Sequence, residues 1–545
     1  MSHDELTEVW QPHTLGEALQ QCLRLRADEL ALITEKSTRN WQQISERAQS
    51  YAKALMAHGI GHGDLVGVMG PNDERWVDVF FGAALIGAIT VPVNTRFKSD
   101  ELAYCLKRAD VKLFFTADRF LNIDFIAMLR SAEPAVDSAL PGLALPRLQT
   151  CVVWGEERPS TALSEQTFLD RGMNISATQL QAARQAVKPD DVLLIQFTSG
   201  TTAFPKGVML THENMLHNAA AVSKRIGLTS SDRYFNCRPF FHVAGSTLSL
   251  LAVLETQSCL VTQPTFEAGT ALAMLARERC TFISGNDTLF QLLMNHPTFD
   301  RSQLCLRGGW AAAGPETMRR IVEDMGIQGI CWSYGQSEAS PNVVKSDYRA
   351  PVADRIDGLA KPLPGVEVKV VTPGGTQALP ANTAGEIHVR GWNVMRGYYS
   401  QPELTAQTLD AQGWLHTGDL GMMTPQGHLR FIGRLKDILR VGGENVAPAE
   451  IEEALLKHPS VANAQVIGVP DARLSEVPAA YVTLKQSGAI TGQDLIAWMQ
   501  SRIANFKVPR HIAIVDNFEN LGMTASGKVQ KTKLREDAVK RFAKP

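Results

Sequence analysis

Near its N-terminus the chain switches between helical periodicity and an unbroken apolar run. Residues 43–58 (QISERAQSYAKALMAH) place apolar groups at helical spacing, DLVGVMG (64–70) reads as a buried strand, and RWVDVFFGAALIGA (75–88) returns to the helical period. This alternation is a βαβ signature and implies a parallel sheet. The Gly59, Gly61, Gly63 cluster between the first two segments superficially looks like a dinucleotide loop. It follows a helix and precedes a strand, the reverse of what pyrophosphate binding at a helix N-terminus requires, and is read as a helix C-cap.

A chain of 545 residues exceeds one core and predicts three or four compact units. Residues 132–189 hold Pro-, Ser- and Gln-rich connections and no long periodic element, so a boundary between subdomains is expected there. From about residue 355 short strands and turns predominate (GVEVKVV, GEIHVRG, GHLRFIG), predicting a β-rich subdomain. After Arg434 the texture changes again: PAEIEEALLKH, ANAQVIGV, PAAYVTL and GQDLIAWMQSRI, then a basic tail, predict a separate α+β unit. The expected domains are therefore 1–434 and 435–545.

Composition narrows the function classes. With 54 Lys and Arg against 56 Asp and Glu, the net charge of −2 offers no long-range field for nucleic acid or an anionic membrane. The eight cysteines never reach CxxC spacing, which argues against a zinc ribbon, a redox pair or a disulfide framework and fits a reducing compartment. The N-terminus lacks a basic n-region before an apolar stretch, and no apolar run approaches the ~18–20 residues of a membrane span. These features predict a cytoplasmic enzyme.

The segment most suggestive of chemistry is Phe197-Thr-Ser-Gly-Thr-Thr-Ala-Phe-Pro-Lys-Gly207, which follows the apolar strand VLLIQFT. Thr198, Ser199, Thr201 and Thr202, with Gly200 and Lys206, can surround phosphate oxygens with donors and one cation. It is not a Walker A loop, because Pro205 and Gly207 stand where that motif needs Gly and Ser or Thr.

FTSGTTxxPKG resembles the signature loop of the adenylate-forming superfamily, which includes acyl-CoA synthetases, luciferases and peptide-synthetase adenylation domains. Further matching segments follow in the family's order: YGQSE (334–338), GEIHVRG (385–391), GWLHTGDLG (413–421), GRLKDILRVGGENVAPAEIE (433–452) and SGKVQKTKLRE (526–536). The resemblance implies an α/β and α+β fold. Two α/β subdomains and a β-rich subdomain would form the large N-terminal domain, followed by a small mobile C-terminal domain. It also implies a two-step reaction: a carboxylate attacks the α-phosphate of ATP to give an acyl-adenylate and pyrophosphate, and the thiol of CoA then takes the acyl group.

Site residues follow from the same resemblance. The loop residues from Thr198 to Lys206 would hold the outer phosphates, Tyr334 would stack on adenine, Ser337 would donate to the α-phosphate, and Glu338 would hold Mg2+. Asp419 would accept the ribose hydroxyls and Arg434 would donate to them. Lys528 corresponds to the family's catalytic lysine, which bridges the attacking carboxylate and the α-phosphate. Lys436 lies at the hinge position, and Gly442 and Gly443 would open a channel for the pantetheine arm. In PFFHVAG (239–245) peptide-synthetase domains carry an Asp where this chain has His242, which disfavours amino acids as substrates.

The pattern is most similar to medium-chain-type acyl-CoA synthetases. Phe240, Phe241, Asn286, Asp287 and Trp310 are candidates for the acyl pocket; the last three, polar or bulky, either shape it for a ring-bearing or polar acid or face away from it. Departures from the family pattern include Ala203, Ala360 and Ser475 at common glycine positions, Ser337 for Thr, and Gly522 for Pro. The expected partners are the carboxylate, ATP and CoA, with neither nucleic acid nor a membrane span, and a homodimer is allowed. An acyl-AMP ligase loading a carrier protein and a catalytically silent nucleotide-binding relative are the alternatives.

Overall fold

The computed structural model describes residues 10–198, 205–442, 444–471, 473–524 and 528–542. Among them are two large sheets, each parallel at its centre. The first runs Gly397–Tyr398, Lys206–Thr211, Val192–Thr198, Ile89–Pro92, Leu65–Met69, Leu113–Ala117, Thr150–Trp154, Leu163–Ser164. The second runs from Lys361–Pro362 through Asn342–Lys345, Gly329–Gly335, Gly308–Ala312, Phe282–Asn286, Arg233–Asn236 and Cys259–Thr262 to Leu30–Ile33 and Thr38–Asn40. Leu65–Met69 is buried at every position, as its unbroken apolar run requires once helices cover both faces.

The predicted helices lie at Trp41–Ala57 and Glu74–Leu85. Asn40 and Asp73 cap them, their side chains accepting from the first-turn amides that lack intrahelical partners. Gly59 has φ +73° just past the first helix, so the glycine cluster ends a helix.

One expectation fails. Residues 132–189 form no boundary: Thr150–Trp154 and Leu163–Ser164 extend the first sheet, and the helix Glu165–Gly172 covers the helix Trp41–Ala57. These strands are too short, and the helices too polar, for their periodicity to register; contact with the sheet stabilises them.

A four-stranded antiparallel sheet follows, Val366–Val371, Gly385–Gly391, Leu415–Met423 and Leu429–Arg434. One 3₁₀ turn, Leu435–Asp437, leads out of it into the last sheet, built from Leu439–Val441, Glu444–Val446, Val461–Asp471, Ser475–Leu484 and His511–Ile514. This last region buries apolar clusters of its own, around Val446, Ile451 and Val466 on one side and Tyr481 and Leu534 on the other. The architecture is thus two α/β subdomains, a β-rich subdomain and a small α+β domain.

Candidate active site

Strand ends and their loops converge at the seam between the large sheets and the small domain. Thr198 and Lys206 pair in register, so they form the neck of the hydroxyl-rich loop. Ser199, Gly200, Thr201 and Thr202, with Ala203, lie outside the described residues. The Lys206 Nζ stands 5.3 Å from the centre of the Tyr398 ring, and the Tyr398 hydroxyl donates to Glu338 Oε1 at 2.9 Å. Tyr398 therefore ties the loop's cation to the predicted metal carboxylate. The GYYS segment around it was the signal sequence reading missed.

YGQSE ends one strand and folds back at once. The Gln336 amide donates to the Pro341 carbonyl at 2.8 Å, and a Cβ at Gly335 would stand 1.9 Å from that oxygen, so only glycine fits there. Ser337 and Glu338 occupy the short 3₁₀ turn this creates. Tyr334 is buried, its ring stacked on Phe431 at 5.1 Å, and its hydroxyl donates to Asp419 Oδ2 at 2.8 Å. Phe431, another residue missed in sequence, backs the ring.

Asp419 and Arg434 face each other across paired strands, with Arg434 Nε 3.4 Å from Asp419 Oδ1. Asp419 is 3% exposed, and Oδ1 accepts no hydrogen bond among the described residues. Burial raises its carboxyl above the usual aspartate range despite the opposing pull of Arg434 and Lys528. A buried acceptor aimed into a cleft without a donor is a place for a ligand's hydroxyl.

Lys528 enters the same cleft from the small domain. Its backbone is fixed by a turn, Thr524 N–H to the Lys528 carbonyl at 2.8 Å and Lys528 N–H to Thr524 Oγ1 at 3.0 Å. The residue keeps solvent contact, while its ammonium is crowded within the cleft. That desolvation first, then Arg434, brings its pKa down to about 8 against the pull of Asp419 and Asp437. Across the cleft, His242 Nδ1 accepts from the Ala244 amide at 3.1 Å, and burial, then Arg238 and Lys528, push the imidazole down to about 4. His242 is therefore neutral at pH 7, with its other nitrogen carrying the proton.

Asn72, from the loop after Leu65–Met69, clamps the histidine's segment: Nδ2 donates to the Arg238 carbonyl and Oδ1 accepts from the Phe240 amide, both at 2.7 Å. Phe240 is fully buried against Trp76 and supports this segment from the core, whereas Phe241 lies at a shallow groove with Phe120 and Phe266. Asn286 and Asp287 have other partners: Asn286 caps the helix Asp287–Met294, and Asp287 accepts from the Gly314 amide at 3.1 Å. Trp310 is buried, its indole donating to the Tyr234 hydroxyl at 2.8 Å.

The small domain is held in this orientation by a carboxylate that crosses the seam. The helix Pro315–Glu323 has no cap of its own, and Glu453 accepts from the Glu316 amide in its first turn at 3.1 Å. Burial and the neighbouring Asp287 and Glu316 bring the Glu453 carboxyl up to about 7. Lys436 lies in the connecting 3₁₀ turn, its ammonium lowered by burial and then Arg434. Gly442 contacts its own domain, its amide donating to the Leu474 carbonyl, and Gly443 lies outside the described residues. Lys528, not the Gly442 hairpin, is thus the small-domain residue beside Arg434 and Asp419.

Comparison with known proteins agrees with this geometry. The family model of the AMP-binding enzymes matches residues 19–399, and that of their C-terminal domain matches residues 450–528. The mitochondrial medium-chain acyl-CoA ligase ACSF2 of Mus musculus is 32% identical over 96% of this chain and 87% of its own. A 3-[(3aS,4S,7aS)-7a-methyl-1,5-dioxo-octahydro-1H-inden-4-yl]propanoyl:CoA ligase of Rhodococcus jostii is 35% identical over 97% of this chain and 99% of its own. Among solved structures, the anthranilate CoA ligase AuaEII with anthranoyl-AMP superposes with a TM-score of 0.84 at 26% identity, covering 96% of this chain and 97% of that one. No helix of the described residues is long and apolar enough to cross a membrane. The chain belongs to the AMP-binding enzyme family and is an AMP-forming acid–CoA ligase, which activates a carboxylate as its adenylate and passes the acyl group to the thiol of CoA.

Proposed function

We propose that this ligase acts on a medium-length or ring-bearing carboxylate, with the roles divided across the seam as follows. The observation that carries this reading is the convergence of Lys528, Asp419, Arg434 and His242 on one cleft. The acid's oxygen attacks the α-phosphorus and pyrophosphate leaves, so two anions must meet in the transition state, and placed cations and oriented donors stabilise the charge that builds. Lys528 bridges the two anions and Ser337 donates to the α-phosphate. Neutral His242 lies beside the acid's carboxylate and adds no charge of its own. Asp419 accepts from the ribose through Oδ1, which faces Arg434 but accepts no hydrogen bond among the described residues, Arg434 donates to the same sugar, and Tyr334, backed by Phe431, stacks on adenine.

Lys206 and the loop beyond Thr198 hold the outer phosphates. Glu338 fits Mg2+: one of its oxygens is taken by Tyr398, the other accepts no hydrogen bond among the described residues, and an ion held mainly by phosphates and water needs only one such carboxylate. Bound there, the ion would neutralise phosphate charge. Rotation at Lys436, between domains 1–434 and 435–545, would withdraw Lys528 and bring in the Gly442–Gly443 hairpin for the thiol step. The names of the two relatives above, one medium-chain and one bicyclic, support the acyl class. The unpaired cysteines, seven of them buried, support a reducing, cytoplasmic setting. A panel of straight-chain, aromatic and polycyclic acids, read by pyrophosphate release with CoA present, tests the assignment; turnover of amino acids or very short acids alone would refute it.

A further inference from the structure

On the acyl side, a lysine stands where the reaction has no use for one. Lys345 ends the strand that follows YGQSE, is 0% exposed, and its ammonium has no hydrogen-bond partner among the described residues. Its Nζ lies 4.4 Å from the centre of the Trp310 ring. An indole face offsets only part of the loss of water around an ammonium, so a buried lysine in this position calls for a further partner.

The placement shows where that partner would come from. Register pairs Ser284 with Trp310, Trp310 with Cys331 and Ser333 with Lys345, so all five side chains share one face of the second sheet. The helix His212–Ile226 covers that face, with Arg225 donating to the Lys345 carbonyl. The same indole is approached by the Arg238 guanidinium at 5.4 Å, and Arg238 in turn acts on His242, as Lys528 does. Lys528, His242, Arg238, Trp310 and Lys345 thus mark a line from the reaction centre into the large domain. Four residues after His242 begins a π-helical turn, Ser246–Leu251, a conformation that recurs at functional sites; its Ser249 reaches the Tyr234 hydroxyl that holds Trp310, and its Thr247 hydroxyl is also buried without a partner among the described residues.

We propose that Lys345 recognises the far end of the acyl group, donating to a second oxygen acceptor, a ketone carbonyl or a carboxylate, that the substrate carries remote from its reacting carboxylate. This rests on the reading of the His242 segment and the Trp310 face as the acyl wall. Burial holds the Lys345 ammonium well below the usual lysine range; a ketone would accept from its N–H, and a distal carboxylate would in addition favour its charged form.

The test uses the full-length enzyme with ATP, Mg2+ and CoA on straight-chain acids from hexanoate to decanoate, their oxo derivatives one carbon from the far end, and the α,ω-dicarboxylates. Pyrophosphate and CoA thioester are measured for wild type and Lys345→Met. At one or more lengths, wild type is expected to favour an oxo acid or diacid at least tenfold in kcat/KM over the plain acid. Lys345→Met should reduce that ratio at least tenfold, with the loss falling on the functionalised acid. Preference for oxo acids marks a carbonyl ligand, and preference for diacids a carboxylate. Lys345→Arg, which keeps a donor and a cation, should retain part of the ratio, and melting temperatures show whether each variant folds. A ratio unchanged in Lys345→Met, or a wild-type preference for plain acids at every length, overturns the inference while leaving the ligase reading intact. Absence of CoA thioester with every acid would overturn both.

Discussion

The proposed nucleotide half and the proposed acyl half of the cleft are built on opposite plans. On the nucleotide side, polar groups partner one another at strand ends: Tyr334 with Asp419, Asp419 with Arg434, Tyr398 with both Lys206 and Glu338. On the acyl side, Arg238 and Lys345 lie against a single indole deep beneath a helix. The first plan suits a ligand that never changes, because each donor and acceptor can be set in advance. The second leaves the Lys345 ammonium without a hydrogen-bond partner among the described residues. Substitutions on the nucleotide side should therefore slow every acid alike, whereas those on the acyl side should alter the ranking among acids.

The largest effect expected is that of Lys528→Ala. Removing one group that stabilises transition-state charge costs ~10²–10³-fold, and carboxylate-dependent pyrophosphate exchange should fall by about that much for all acids. Thioester formation from supplied acyl-adenylate should be largely retained, because only the first step joins two anions; equal loss in both steps would break this division of labour. Next comes Asp419→Ala, which removes an acceptor of charge-assisted hydrogen bonds worth ~1.5–3 kcal/mol each. The KM for ATP should rise about ten- to a hundredfold, with the ranking of acids untouched; a changed ranking would blur the two halves.

The pH dependence gives a third measure. The Lys528 pKa of about 8 lies below the ordinary lysine value, so the ammonium is lost as pH rises through it. The kcat/KM for ATP should fall by up to tenfold per unit above about pH 8, for plain and functionalised acids equally. Glu453 should give a smaller effect of opposite origin. Its carboxyl, about 7 when docked and lower when free in solvent, takes up a proton on docking, so the docked orientation gains stability as pH falls through 7 and loses it above. The ratio of adenylation to thiolation should rise several-fold between pH 8 and pH 6. Glu453→Gln, which still accepts from Glu316, should flatten that rise; an unchanged slope would remove Glu453 from the seam's energetics. The smallest effect is that of Phe431→Ala: a lost aromatic stack worth ~0.5–1.5 kcal/mol should raise the KM for ATP a few-fold.

What was legible in sequence follows the same split. The residues proposed to act on the invariant ligand occur in short contiguous runs, where neighbours along the chain suffice to set geometry: YGQSE folds back on Pro341 through a glycine no other residue could replace. Tyr398, Phe431 and Asn72 escaped notice because each reaches its partner from another strand or another sheet. Asn286 and Asp287, acyl-pocket candidates in sequence, have partners within the protein that the sequence did not show. Polar residues after a strand are as apt to cap the next helix as to meet a ligand, and only the partners made across space separate the two.

The sequence by itself determined the parallel-sheet class, the order of the subdomains and the AMP-binding family, since periodicity and contiguous motifs are properties of neighbours along the chain. Tertiary structure decided which domain face meets the cleft, that Glu453 caps a helix of the other domain, that residues 132–189 complete a sheet, and that Lys345 lies over Trp310. Lys345 and Trp310 are 35 positions apart and come together only because strand register and sheet order place them on one face. Long-range pairing of this kind is set by the packing of the whole core, which no local run of residues encodes.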